Sequence, residues 1–292
     1  MNPRILGRRG FTLIELLVVM IVAGMAGTAL LSIILAETKA FGKRDAWRNA
    51  RSVARQSLNL LSSEMTMVET SGGVEAATAD GKSVTLRVPY VMGLMCSSTG
   101  SSTTVSLLPS DSALYSAPGF SGFAYRNGTI YNYVTSGATL TNSGTPGNCS
   151  ATAAGVATLP APGSVASNAG RLVTLGGTIS PIPARGTPFM LYRRIKYEFK
   201  ASSAVPGQTG LWRTILTTGA TQELAAPFDT TSAFRFYVLN ASAPVAAVPA
   251  TLSDIRGLEI ELDGESERIA RGDSGLKVFR STTAIFFQNR PD

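Results

Sequence analysis

The chain has 292 residues, 26 basic and 19 acidic side chains for a formal charge of +7, no histidine and two cysteines. Without imidazole there is no Ser-His-Asp or Cys-His nucleophile system, no histidine zinc site and no histidine acid-base group. A charge excess this small over so long a chain does not by itself argue for nucleic acid, which needs a focused basic patch.

In chain order, the first feature is a short basic segment carrying Arg4, Arg8 and Arg9. It is followed from Phe11 to Ile34 by FTLIELLVVMIVAGMAGTALLSII, in which Glu15 is the only charge. At about 1.5 Å per residue this run is long enough to cross a bilayer core of about 30 Å. It is too long for the apolar part of a signal peptide, and no convincing small-x-small cleavage site ends it. The preceding arginines predict a cytoplasmic N-terminus and an external remainder, although Lys39, Lys43 and Arg44 on the far side weaken the asymmetry. A carboxylate within such a span costs about 2.5 to 3.5 kcal/mol at the bilayer centre and less near an interface, so Glu15 needs a reason.

The stretch Arg8-Arg9-Gly10-Phe11-Thr12-Leu13-Ile14-Glu15-Leu16 resembles the type IV prepilin processing motif. The resemblance implies cleavage between Gly10 and Phe11 by a prepilin peptidase, methylation of the new Phe11 amine, and a Glu15 that faces the N-terminal amine of a neighbouring subunit. A glycine at the cut suits a narrow catalytic site. The plainer alternative is that Glu15 is a first-turn carboxylate favoured by the helix dipole. Removal of residues 1–10 leaves 23 basic against 19 acidic side chains, or +4. Gly24 matches a frequent pilin glycine, but Ser32 stands where major pilins often carry a helix-softening proline, which points away from a major subunit.

Beyond the apolar run, Trp47, Ala50, Ala54, Leu58, Leu61, Met65 and Val68 recur at three- and four-residue steps, the pattern of an amphipathic helix. No proline interrupts residues 11–70, so one helix is expected to end near Gly72-Gly73. Arg44, Arg48, Arg51 and Arg55 form a near-helical stripe whose guanidiniums suit phosphate oxygens. A solvated or subunit-facing surface accounts for the stripe more simply, because no aromatic interleaving or groove-reading motif accompanies it.

After Gly73 the pattern turns to short β-rich runs: Ser83 to Val88, Ser121 to Tyr125, Thr129 to Val134, Met190 to Lys200, Leu211 to Leu216 and Ala233 to Leu239. Asn127-Gly128 between two of them predicts a hairpin. Leu258, Ile260 and Leu262 alternate with acidic residues, and Leu276 to Asn289 supplies a last strand or pair. Cys96 to Thr104 and Thr135 to Asn168 read as surface loops or weak strands. A single disulfide between Cys96 and Cys149, tethering those segments, is the simpler reading, the alternative being two thiols; it would fit an oxidising compartment. Asp263, Glu265, Glu267 and Asp273 surround a glycine-containing loop without a full EF-hand pattern, so an exposed acidic hairpin is preferred to calcium. Arg271-Gly272-Asp273 spells an adhesion tripeptide, too short to carry weight.

The expected fold class is α+β, with a long N-terminal helix packed on a mostly antiparallel sheet. Its segments are a leader at 1–10, a transmembrane and assembly helix at 11–34, an amphipathic continuation at 35–71 and a β-rich head at 72–292. The runs LYRRIKYEF, LWRTIL, SDIRGLEIEL and STTAIFFQNR are similar to segments of W-type minor pilins and J-type pseudopilins. The function this implies is a non-enzymatic minor pilin without cofactor or metal, inserted in the inner membrane and then built into a pilus with other pilins. The alternatives are a type II secretion pseudopilin and, from another class, a filament-borne DNA receptor.

Overall fold

A computed structural model describes residues 12–108, 110–141, 145–146, 170–239 and 241–287. One helix, α1, runs unbroken from Leu13 to Met65. Its apolar half hides its own polar groups: the hydroxyls of Thr28, Ser32 and Thr38 each donate to the carbonyl three residues earlier. The large apolar side chains from Leu13 to Ile34 are all exposed.

The second half of α1 packs through Ala46, Ala50, Ala54, Ser57, Leu61 and Met65. This is the expected stripe with two differences. Trp47 is 48% exposed and lies edge-on to Phe279, and Leu58 only borders the core. The reason is the closeness of the sheet. A Cβ on Gly264 would stand 2.2 Å from the carbonyl oxygen of Ala50 and 3.2 Å from Cβ of Ala54, so the seam admits only small side chains. A broad indole is pushed to its margin.

The helix stops at Met65, before the glycine pair where the sequence predicts its end. Thr66 caps it, donating through both its N–H and its hydroxyl to the carbonyl of Ser62, and the next turn drives Val68 into the core. Gly72, at φ +86°, then turns the chain into the sheet.

The described strands are β1 (Val74–Ala77), β2 (Ser83–Ser98), β3 (Ser102–Leu107), β4 (Gly122–Asn127), β5 (Ile130–Val134), β6 (Thr139–Leu140) and β7 (Thr145–Pro146), then β8 (Arg171–Gly176), β9 (Pro188–Ala201), β10 (Thr209–Ile215), β11 (Ala220–Phe228), β12 (Ala233–Val238), β13 (Ile255–Glu265) and β14 (Val278–Phe286). All join one antiparallel sheet whose main order is β12-β13-β11-β10-β9-β2-β3-β8-β6. The molecule is therefore α+β, a long helix packed on a large antiparallel sheet.

The long strands β2 and β9 carry two cores. Val84, Leu86 and Val88 with Ile195, Tyr197 and Phe199 lie under α1, together with Leu61, Met65, Phe228, Leu258 and Ile260. Further along the same two strands, Val91, Met95, Phe189 and Leu191 join Val105, Leu107, Phe123, Tyr125, Val173 and Leu175 in a second core that contains no helix residue. The expected run Ser83 to Val88 continues through Pro89 as far as Ser98. The register shifts between Pro89 and Val91, and a bulge is a place where a missing N–H is tolerated. That extra residue keeps Val88 and Val91 on the inward side.

The hairpin at Asn127-Gly128 is present, displaced by one residue. Asn127 pairs with Ile130, leaving Gly128, at φ +64°, and Thr129 as the turn. Of the segments expected as loops or weak strands, Cys96 to Thr104 forms the end of β2, a turn with Gly100 at φ +88°, and the start of β3. Much of Thr135 to Asn168 lies outside the described residues.

Candidate functional site

The described N-terminus is built around Thr12 and Glu15. Thr12, in extended conformation, is the N-cap of α1. Its hydroxyl accepts from the Glu15 N–H at 3.3 Å, while Oε2 of Glu15 accepts from the Thr12 N–H at 3.0 Å and from its hydroxyl at 3.0 Å. This reciprocal capping box satisfies donors that a helix start otherwise leaves unpaired. Threonine followed three residues later by glutamate was a legible signal for it. Within one subunit, then, Glu15 acts as a first-turn residue, and both of its side-chain bonds use a single oxygen. Gly10 and Phe11 lie outside the described residues.

Further along α1, the outward stripe of arginines is partly engaged. Arg44 lies 6.0 Å from the ring centre of Phe41, Arg48 is 4.0 Å from Asp45, and Arg51 lies 5.6 Å over Phe279. These contacts describe a solvated helix face with local partners.

Polar contacts tie the head to the helix. Glu64 accepts from Arg213 Nε at 3.0 Å, pairs with Arg213 Nη2 at 3.0 Å and accepts from the hydroxyl of Tyr197, linking α1 to β9 and β10. Asp273, in the β13–β14 connection, is 2.7 Å from Lys43 Nζ and 3.1 Å from Lys277 Nζ. The ammonium groups of Lys43 and Lys277 hold its carboxyl below the usual aspartate range. Sequence reasoning missed both ties, because they join side chains far apart in the chain whose meeting depends on the packed fold.

The acidic loop spreads its carboxylates over separate partners. Asp263 accepts from Thr231 Oγ1 at 2.7 Å and Glu265 accepts from Gln208 Nε2 at 3.0 Å, while Asp273 serves the lysines. Among the described residues, no group of three or more His, Cys, Asp or Glu side chains is placed to hold a metal ion. The pairing of Asp273 also withdraws the Arg271-Gly272-Asp273 tripeptide from presentation, since that carboxylate side chain is only 10% exposed. Cys96 lies at 8% exposure near the end of β2, and Cys149 is outside the described residues.

A helix apolar and exposed through its first half, long enough to cross a membrane, and packed on an antiparallel sheet through its second half is a pilin-like architecture consistent with membrane anchoring. Residues 6–31 match the family model of the prokaryotic N-terminal methylation motif, a match that supports a type IV prepilin-like protein. Comparison with curated proteins and with solved structures gives no match.

Proposed function

We propose that the protein is a minor type IV pilin that helps to prime or cap a pilus and acts by polymerisation, without catalysis. The observation that carries this reading is the methylation motif leading directly into an exposed apolar helix half. Such a surface, about 24 residues long in sequence, can be covered by lipid before assembly and by neighbouring helices after it. A prepilin peptidase cuts after Gly10 and methylates Phe11, leaving a leader of residues 1–10, an assembly helix at 11–34, its continuation at 35–71 and a head at 72–292. The N-terminus is cytoplasmic and the head periplasmic until the subunit enters a fibre.

Glu15 then meets the Phe11 amine of a neighbouring subunit. Its bonds to Thr12 occupy Oε2 alone, so the capping role and an intermolecular pair are compatible. A buried charge that gains its partner only on assembly fixes register as well as attraction. Cys96 and Cys149 form a disulfide, a reading supported by the absence of a free cysteine among the described residues.

Ser32 and a head with two cores favour a minor over a bulk subunit. The second reading is a J-type pseudopilin of type II secretion: the fragments on β9, β10, β13 and β14 are similar to segments of W-type minor pilins and J-type pseudopilins alike. Neighbouring genes separate the two: secretion-gate components favour the pseudopilin, and a retraction ATPase with several minor pilins favours the pilus. A DNA receptor has the weakest support, since three arginines of the stripe have local partners.

Mass spectrometry of surface-sheared fibres tests the proposal. The expected result is a low-abundance peptide beginning at methylated Phe11. A mature chain with the Gly10-Phe11 bond intact would overturn it.

A further inference from the structure

The strand β14 is an open edge of the sheet. It pairs with β13 alone, in a register that runs without a shift from Glu265–Val278 to Gly257–Phe286. At its two ends the Ser266 N–H donates to the Lys277 carbonyl and the Phe287 N–H donates to the Arg256 carbonyl. The odd-numbered residues therefore turn their backbone groups to β13. The N–H and C=O groups of Val278, Arg280, Thr282, Ala284 and Phe286 face the other way, and no described residue pairs with them.

Sheet edges are commonly kept short, bulged, covered or charged, because their unpaired groups invite another strand. In this sheet β6 and β7 have two residues each, and β1 has four with a register shift. The free side of β12 is covered, since Phe234 N–H donates to the Gly81 carbonyl and Phe236 bridges to Val245. β14 has none of these devices: it is nine residues long without proline or bulge, and Arg280 is its one charge. Its helix-facing side chains are Phe279, against Trp47, and Ile285, in the core under α1. On the opposite face the Arg280 side chain is 82% exposed with only a long contact, 3.9 Å, to Asp263, and Phe286 is 53% exposed beside Tyr237.

The direction of β14 limits what can pair with it. Ile255 and Arg256, at the start of β13, border a cavity with Thr70 and Ser71 beyond the end of α1. Gly264, near its other end, lies at Ala50, and Phe279 lies at Trp47 and Arg51. The two strands thus run along α1, and β14 points away from the apolar half. A second copy pairing its own β14 antiparallel to this one would have to point its helix the opposite way, which insertion in one membrane forbids. Parallel pairing is less stable per residue.

We infer that β14 receives a strand from the head of a different pilin subunit, running back toward the membrane. Its backbone pairs with the outward groups from Phe286 to Val278. An apolar side chain sits beside Phe286, and six residues later a carboxylate meets Arg280. Main-chain bonds supply the attraction, and these two side-chain positions select the partner. The inference rests on the reading of the chain as a pilin-like subunit.

The test is photo-cross-linking in cells, from the full chain with p-benzoylphenylalanine in place of Phe286. The expected product joins it to a different protein that carries the N-terminal methylation motif. Ala284→Pro removes an outward N–H and no bond to β13, so it should keep the thermal midpoint yet lower the yield of that product by about tenfold or more. Ala284→Lys, which keeps every backbone donor and charges the edge, should give the same loss even where proline disturbs the strand. A product with a second copy alone, no product, or a yield unchanged in both variants overturns the inference. An intact Gly10-Phe11 bond in the same cells would instead overturn the pilin reading, so the two failures are distinguishable.

Discussion

At the scale of single residues, Glu15 caps the helix start, and separate mutations can resolve that task from the proposed pairing with a neighbouring subunit. Thr12→Ala removes the cap and should weaken the first turn by about 0.5 to 2 kcal/mol, seen as faster exchange of amides near residue 15. Glu15→Ala should leave membrane insertion intact, as judged by resistance to alkaline extraction, yet exclude the subunit from sheared fibres. Normal incorporation of that variant would remove the intermolecular role. Asp273 gives a pH-dependent counterpart. Its carboxyl is held below its ordinary value by Lys43 and Lys277, so its stabilising effect is complete above the unfolded aspartate range near about 4. The effect is lost as pH falls through the lower folded value. Limited proteolysis at decreasing pH should show the loop opening in that acidic window, and Asp273→Asn should already be open at neutral pH and lack the step.

At the scale of elements, the decisive contact is α1 against β13. Ala50 and Ala54 are fully buried, and Gly264 faces the backbone of Ala50. Gly264→Ala should force the helix off the sheet by a fraction of its packing distance and destabilise the protein by about 1 to 3 kcal/mol. The measurement is the urea midpoint at unchanged slope, and an unchanged midpoint would show that the helix moves freely. The same contact explains how the sequence could be read here and where it could not. Period and polarity marked the buried stripe from Ala50 onward. Its margin at Trp47 was decided by a glycine more than 200 positions away in the chain. Likewise the hydrophobic run before Pro89 was visible as a strand, whereas its continuation depended on a bulge that only the partner strand β9 defines.

At the scale of the whole molecule, two cores share the same pair of strands. Leu61 lies in the core under the helix and Leu107 in the one without it, both fully buried. Leu61→Ala and Leu107→Ala should each cost about 2 to 5 kcal/mol and lower one common thermal transition, because β2 and β9 cannot unfold in one core and stay paired in the other. Two separate transitions, each moved by only one substitution, would show independent lobes. The helix-free core sits on the part of the head that α1 does not cover.

The sequence by itself determined the N-terminal part of this protein. The processing motif, the apolar run and the placement of Glu15 are local patterns in which adjacent residues suffice, because a membrane span and a helix cap are defined within one stretch of chain. The tertiary structure decided where α1 stops, which side chains form its seam, that the sheet encloses a second core, and that the β13–β14 loop is fastened to Lys43. Each of those depends on contacts between residues distant in sequence, whose close approach is set by the packed sheet and leaves no periodicity to read.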